Sequence, residues 1–189
     1  MPATARRDRE RAQRHQMIIT AARELAEAEG WDAVTTRRLA ERIEYSQPVL
    51  YSHFDGKDAI MAAVALQGFE ELAERLRHAR LGADGAGAGL RALCREYLEF
   101  AATRPALYQA MFVMPTSLRF ASAETPAPLQ AAFGEFVSAV PPQAGPRELT
   151  AEVTWSALHG MAVLAATGRV PPGGRDERVE FLAARVAGS

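Results

Sequence analysis

This chain has little cysteine, little lysine and almost no net charge, and these features exclude several classes of protein. Its 189 residues include one cysteine, Cys94, which excludes an intrachain disulfide or a cysteine-rich zinc site and fits a reducing cytoplasm. Lysine occurs once among 22 basic residues, and the formal net charge is −1. The whole molecule is therefore not a polybasic nucleic-acid binder, and such a role requires a local patch.

Long apolar runs are lacking as well. The N-terminal sequence MPATARRDRERAQRHQ is charged and never becomes the apolar core of a secretory signal. The least polar long segment, residues 149–168, is interrupted by Glu152 and His159, so we interpret it as a buried helix. We therefore expect a cytoplasmic protein with no membrane partner.

Metal-binding and strand-forming patterns are also missing. His15, His78 and His159 have no partner at metal-ligand spacing, and the sequence contains no CxxC or HExxH. No cofactor is expected. Apolar residues follow helical spacing from end to end, and no segment alternates as a strand does.

The predicted fold is all-α, with about nine helices in two parts. Residues 1–14 are expected to form a flexible basic tail and residues 15–57 a three-helix DNA-binding domain containing a helix-turn-helix. Residues 58–189 are expected to form a helical domain for ligand binding and dimerisation.

The sequence of residues 35–57, TTRRLAERIEYSQPVLYSHFDGK, predicts two short helices that are stable only through packing. Thr35 or Thr36 can cap the first helix and Ser46 the second, and Pro48 falls in a first turn, where its missing N–H costs nothing. Inward positions carry apolar residues, while Gln47, Tyr51, Ser52 and His53 face outward. Two such helices form a helix-turn-helix, whose second helix enters the major groove of DNA.

Residues 17–64 resemble the DNA-binding domain of TetR-family transcriptional regulators. The matching elements are the leading threonine, Leu39-Ala40, Ser46, Leu50-Tyr51, His53-Phe54, Lys57 and Ile60. The resemblance implies that Arg37, Gln47, Pro48 and Val49 lie nearest the bases, and that Tyr51, His53 and Lys57 hold the DNA backbone. The N-terminal ends of the two short helices, at Thr36 and Ser46, are expected to attract phosphate oxygens.

Glu44 departs from the family pattern, because the family usually has glycine in this turn. A left-handed backbone there costs on the order of 1 kcal/mol without glycine.

The C-terminal part resembles a TetR subgroup with a tryptophan, a histidine and a glycine in its penultimate helix, here Trp155, His159 and Gly160 in WSALHGMAVL. Aromatic and soft side chains are the candidates for binding an apolar ligand: Phe69, Tyr97, Phe100, Tyr108, Met111, Phe112, Phe133, Phe136, Trp155 and His159. Core packing explains the same residues equally well. The dimer contact is expected to use Val153, Ala157, Gly160, Leu164, Val179 and Leu182.

The predicted function is a non-enzymatic transcriptional regulator, a repressor that binds a palindromic double-stranded DNA operator as a homodimer and is released by a small apolar ligand. A helical protein-interaction module is an alternative, which salt-dependent binding to duplex DNA would exclude. A hydrolase using His159 is another, with Ser156 three residues before it. The N-terminal arginines fit either a solvated tail or a minor-groove arm.

Overall fold

The computed structural model describes residues 3–85, 87–171 and 173–188, and over these ranges it contains nine α-helices and no strand. The helices are α1 Ala3–Glu29, α2 Thr36–Arg42, α3 Gln47–Tyr51, α4 Lys57–Leu81, α5 Ala88–Thr103, α6 Pro105–Phe112, α7 Ala127–Ala139, α8 Arg147–Ala166 and α9 Arg175–Ala187. A single 3₁₀ turn, Trp31–Ala33, connects α1 to α2. The predicted all-α architecture is confirmed.

The N-terminal end of α1 differs from the sequence prediction. A flexible tail was expected through residue 14, but α1 begins at Ala3 and continues unbroken to Glu29. Residues 3–16 contain neither glycine nor proline and are rich in strong helix formers. Glu10 also pairs with Arg6 at 3.5 Å and with Arg14 at 3.7 Å, and such pairs one turn apart support a helix.

The chain divides into two compact units. The first, called the head below, comprises Met1–Gly68 and Ala106–Leu118. The second, called the body, comprises Phe69–Pro105 and Arg119–Ser189. Helix α4 therefore contributes to both units, and α6 belongs to the head although it follows a helix of the body.

The head packs around one face of α1. Ile18, Ala22 and Leu25 are spaced at three and four residues and are almost fully buried. Leu39 of α2 and Leu50 of α3 are equally buried, so each short helix is held by a large aliphatic side chain. Because these helices have seven and five residues, such packing rather than intrinsic propensity stabilises them.

The body is built on α5, which contacts α7, α8 and α9. Its apolar face includes Leu93, Tyr97 and Phe100, none of which retains accessible surface. Burial also raises the pKa of the Cys94 thiol to about 12, so this cysteine stays protonated. Ion pairs join the flanks of the helices: Arg80 donates to Glu135 at 2.8 Å and Arg104 lies 2.7 Å from Glu71.

No helix in the described ranges has the length and apolar content needed to cross a lipid bilayer.

Candidate nucleic-acid interface

Helices α2 and α3 are joined by a tight turn whose geometry is defined by backbone hydrogen bonds. Thr35 caps α2, its side chain accepting from the N–H of Arg38 at 3.2 Å. At the other end, the N–H of Tyr45 donates to Ala40 at 3.0 Å and the N–H of Glu44 to Glu41 at 3.3 Å. These two bonds form a Schellman motif, which reverses the chain after α2.

Glu44 occupies the left-handed position of this motif, with φ +58°. Glycine normally fills that position because a side chain there meets the following carbonyl oxygen. Glutamate thus adopts here the left-handed conformation that the family's usual glycine would adopt without strain.

Helix α3 presents opposite surfaces to the protein and to solvent. Leu50 is 1% exposed, whereas Tyr51, the next residue, is 54% exposed. Gln47 and Pro48 are exposed and Val49 is half-buried. Pro48 lies in the first turn, and Ser46 is the N-cap residue, although its side chain makes no capping hydrogen bond. Of the α3 side chains expected nearest the bases, Gln47 and Pro48 are therefore accessible and Val49 only in part.

The remaining predicted DNA contacts surround α3. Thr36 and His53 are half-buried, and Arg37 is exposed, with Glu41 at 3.3 Å. Such an exposed ion pair contributes little and leaves the guanidinium available. Lys57, half-buried, donates to the carbonyl of Trp31. An ammonium has three donors, so this bond fixes the start of α4 without consuming the lysine's capacity for a phosphate.

Acidic side chains near the interface form ion pairs with arginines. Glu29 binds Arg38 at 2.7 Å, and Glu24 binds Arg42 at 2.9 Å. The hydrogen bond from Arg38 holds the pKa of Glu29 below its usual value. An open cleft of about 500 Å³ lies beside the second pair, between α1 and the end of α2.

Glu27, also on α1, binds backbone N–H groups rather than an arginine, which the sequence did not suggest. The carboxylate of Glu27 accepts from the N–H groups of Ala106 and Leu107, at 3.2 and 3.0 Å, and so caps α6. The indole of Trp31 donates to the carbonyl of Ala106 at 2.7 Å. These bonds span 75 to 80 residues of sequence, and no local pattern announces them.

Helix α6 also approaches α4 closely within the head. A Cβ added at Gly68 would lie 2.6 Å from the sulfur of Met111 and 2.8 Å from Leu107. A larger residue at this crossing would force the ends of the Met111 and Leu107 side chains to shift.

The predicted ligand residues are divided between the two units. Tyr108, Met111 and Phe112 lie in the head, on α6, with Tyr108 and Met111 buried. The other seven lie in the body: Phe69, Tyr97, Phe100, Phe133, Phe136, Trp155 and His159. Sequence reasoning could not separate them, because α6 is apolar on its own and only tertiary packing assigns it to the head.

Within the body, three of these residues form a polar group inside an apolar layer. The indole of Trp155 donates to the hydroxyl of Tyr97 at 3.0 Å. The ring of His159 lies 6.3 Å from that indole, centroid to centroid, and burial lowers the pKa of His159. The ring of Phe136 meets Tyr97 edge-on at 5.6 Å. Ser156 is exposed and its hydroxyl donates to the carbonyl of Glu152 at 2.8 Å.

The predicted dimer residues have unequal exposure. Val153 and Leu164 are 59% and 41% exposed, whereas Ala157, Gly160 and Leu182 are half-buried. Val179 was an incorrect choice, since its side chain is fully buried in the body. Apolar residues of α9 lie on more than one side of the helix. Phe181 is 65% exposed and is the accessible large apolar residue that the prediction omitted.

Comparison with known proteins assigns both parts of the chain. The family model for bacterial regulatory proteins of the tetR family matches residues 18–64. A second model, described as the tetracyclin repressor-like C-terminal domain, matches residues 90–186, more than half of the 189 residues.

Individual relatives agree with these matches. The uncharacterized HTH-type transcriptional regulator YobS of Bacillus subtilis is 33% identical over 94 residues, 50% of this chain and 49% of that protein. Tetracycline repressor protein class G of Vibrio anguillarum is 43% identical over 63 residues, 33% of this chain and 28% of the repressor. The chain thus spans half or less of these curated relatives.

A solved structure extends the likeness over nearly the whole chain. A tetR-family transcriptional regulator from Streptomyces coelicolor superimposes with a TM-score of 0.69 and 25% identity, over 94% of this chain and 80% of that one. With its helix-turn-helix and both matching models, the chain belongs to the TetR family of bacterial transcriptional regulators.

Proposed function

We propose that this protein is a repressor that binds a palindromic operator as a homodimer and leaves it when a small, largely apolar ligand enters the body. The main support for this proposal is that α3 has one side buried in the head and the other exposed to solvent. Leu50 anchors the helix in the head, while Gln47 and Tyr51 project from it. An amide side chain can bond an adenine edge in two places, and a tyrosine hydroxyl suits a phosphate.

The short length of α3 supports a dimer. A helix of five residues contacts few base pairs, so one copy selects a site poorly. Two copies related by a two-fold axis place their recognition helices about 34–36 Å apart and double the sequence contacted.

The body offers a surface for this dimer. Leu149, Val153 and Leu164 of α8 are 58%, 59% and 41% exposed. Together with Ala157 and Gly160 they recur at intervals of three and four residues, so they share one face of the helix. Large apolar side chains beside small ones favour close packing of one helix on another.

The polar group of the body suggests the kind of ligand. Tyr97, Trp155 and His159 supply hydrogen-bonding atoms within an otherwise apolar layer. A lowered pKa keeps His159 neutral near pH 7, so a neutral ligand with one or two polar atoms fits better than an anion. Because Tyr97 is fully buried, such a ligand must displace packed side chains to enter.

Two helices can transmit this displacement. Helix α4 is shared by both units, and α6 is capped by Glu27 of the head. A ligand that shifts either helix changes operator affinity, and the operator changes ligand affinity by the same coupling free energy.

Binding selection from random duplexes, followed by sedimentation of the complex, tests the DNA-binding and dimer parts. We expect an inverted repeat bound by two chains, with the half-site centres about one helical turn apart. A monomer at micromolar concentration, or binding indifferent to sequence, would contradict this part.

Substitution of α3 tests the role of Gln47. Gln47→Ala should lose about 1–3 kcal/mol of discrimination at one base position, with little change on random DNA. Gln130→Ala is the matched control, because Gln130 is an exposed glutamine of the body. Equal losses on selected and random duplexes would remove Gln47 from the base contacts.

The ligand part can be tested by fluorescence. The protein has two tryptophans, so Trp31→Phe leaves Trp155 as the single reporter. A metabolite panel should contain a compound that changes Trp155 emission and weakens operator binding at the same concentrations. A compound that changes emission without affecting operator binding would refute release by that ligand.

A further inference from the structure

The first half of α1 extends beyond the head's core. The first buried residue described in this helix is Ile18, and residues 5–17 are exposed or half-buried. At 1.5 Å per residue, the part of α1 before Met17 is roughly 20 Å long. This stretch therefore contributes no buried residue to the head's core, and most of its surface faces solvent.

The charge of this extension is strongly positive. Residues 3–16 contain five arginines against Asp8 and Glu10. Glu10 is shared by Arg6 and Arg14. By contrast, Arg7 and Arg11 have no ion-pair partner among the residues that the structure describes.

These two arginines lie in one line with a histidine. Arg7, Arg11 and His15 are four residues apart in sequence, which places them on one face of the helix. Below, these three residues are called the basic strip. The same face continues into Ile18 and Ala22, which pack on the head.

The basic strip leads directly to the end of the helix-turn-helix. His15 stacks on Phe54 with ring centroids 4.3 Å apart, and its ring lies 6.2 Å from that of His53. His53 is one of the residues that the family resemblance places on the DNA backbone. The strip and the recognition helix therefore adjoin one another within the head.

The electrostatics of His53 agree with this placement. Its pKa is lowered first by burial and then by the charges of Arg11, His15 and Arg14. The guanidinium groups of Arg11 and Arg14 thus disfavour a proton on the imidazole of His53. A phosphate group at this position would relieve that repulsion.

We propose that the basic strip contacts the phosphate backbone of the duplex immediately beside the half-site bound by α3, and so lengthens the footprint of each head. Arg11 lies one turn from His15, whose ring adjoins that of His53, and Arg7 lies one turn further, so their positive charges suit phosphates that flank the position of His53. The inference rests on operator binding, as proposed above, and adds contacts outside the helix-turn-helix.

The salt dependence of DNA binding measures these contacts. Each phosphate neutralised contributes about 0.9 to the slope of log K against log salt. The double variant Arg7→Ala/Arg11→Ala should lower that slope by about 2 per head and weaken binding on the order of tenfold near 0.1 M salt. Alanine is a strong helix former, so circular dichroism should show α1 intact.

Arg6→Ala/Arg9→Ala is the matched control. It removes the same charge from the same helix, but these residues lie on the opposite side from the strip. If both double variants lower the slope equally, the effect is general charge and the proposal fails.

Duplex length and flanking sequence complete the test. On a duplex trimmed to the selected half-sites, the wild type and Arg7→Ala/Arg11→Ala should bind alike, and the difference should return when flanks are added. A loss confined to A·T-rich flanks would instead indicate minor-groove insertion and overturn the phosphate contact. If the wild type binds no duplex at all, operator binding itself fails, which is a different result from equal slopes.

Discussion

Two tyrosines illustrate how differently the head and the body hold their candidate functional residues. Tyr51 of the head is 54% exposed on α3, whereas Tyr97 of the body has no accessible surface. The head displays its polar groups on helices anchored by single aliphatic residues. The body buries Tyr97 completely, and the half-buried Trp155 donates to its hydroxyl.

This difference determines what substitution can reveal. In the head, a side chain that contacts DNA can be removed without disturbing the core, so affinity and stability separate. In the body, Tyr97 is both a proposed ligand residue and a core residue, so ligand binding there must compete with packing. A loss of ligand response there is informative only when stability is measured beside it.

The largest expected effect comes from the body. Tyr97→Ala should lower the free energy of unfolding by about 3–5 kcal/mol, because it leaves a cavity beside Phe136 and removes the hydroxyl that accepts from the Trp155 indole. Chemical denaturation followed by circular dichroism measures this change.

Tyr51→Ala is the corresponding substitution in the head. It should change the free energy of unfolding by no more than about 0.5 kcal/mol while weakening DNA binding. If the two variants lost similar amounts of unfolding free energy, the contrast between the exposed tyrosine of the head and the buried tyrosine of the body would be wrong.

The second expected effect concerns α6, which lies in sequence between the two segments of the body but packs in the head. Glu27→Ala leaves the N–H groups of Ala106 and Leu107 without their carboxylate and should cost about 1–2 kcal/mol. Amide hydrogen exchange should quicken first at these two residues. Glu74→Ala, an equal charge change at an exposed position of α4, should leave that exchange unchanged.

Features that act within a few residues could be predicted from the sequence. A cap at Thr35 or Thr36 and a proline in the first turn of α3 follow from local patterns, and the structure has Thr35 as the cap and Pro48 in that turn. The exposure of Gln47 and Tyr51 likewise agrees with the outward positions that the apolar spacing indicates.

What the sequence could not predict depends on distant contacts. Nothing near Glu27 indicates that it caps a helix about 80 residues away. Val179 and Phe181 are both apolar residues of α9, and only packing against α5 and α8 decides which is buried. The extent of α1 was missed for another reason: charge was taken to indicate a tail, although its residues favour a helix.

A third effect compares two turns of the same kind, one in each unit. Glu44 in the head and Gly168 in the body both follow a helix with positive φ, +58° and +65°. Each turn has the two Schellman hydrogen bonds. Glu44→Gly should stabilise the protein by about 1 kcal/mol, and Gly168→Ala should destabilise it by a similar amount.

Both changes are measured by thermal or chemical unfolding. Glu44→Ala separates the backbone from the charge, since it removes the carboxylate without supplying glycine's freedom. If Glu44→Ala stabilised the protein as much as Glu44→Gly, charge rather than backbone strain would explain the gain.

The smallest effect distinguishes the histidines of the two units. The pKa of both His53 and His159 lies below 6.5, but burial alone lowers that of His159, while nearby cations also act on His53. In the unfolded chain each histidine regains its ordinary pKa and binds protons more readily than in the folded protein. Stability should therefore fall as the pH drops below about 6.5, and His53→Gln or His159→Gln should each reduce this fall.

Salt then separates the two causes. Ions screen charges near the surface but do not restore water to a buried ring. In an NMR titration, added salt should raise the pKa of His53 toward its ordinary value and leave that of His159 nearly constant, and Arg11→Ala should act on His53 as salt does. A pKa of His53 insensitive to both salt and Arg11→Ala would mean that the N-terminal half of α1 does not bring its charges to the end of the recognition helix.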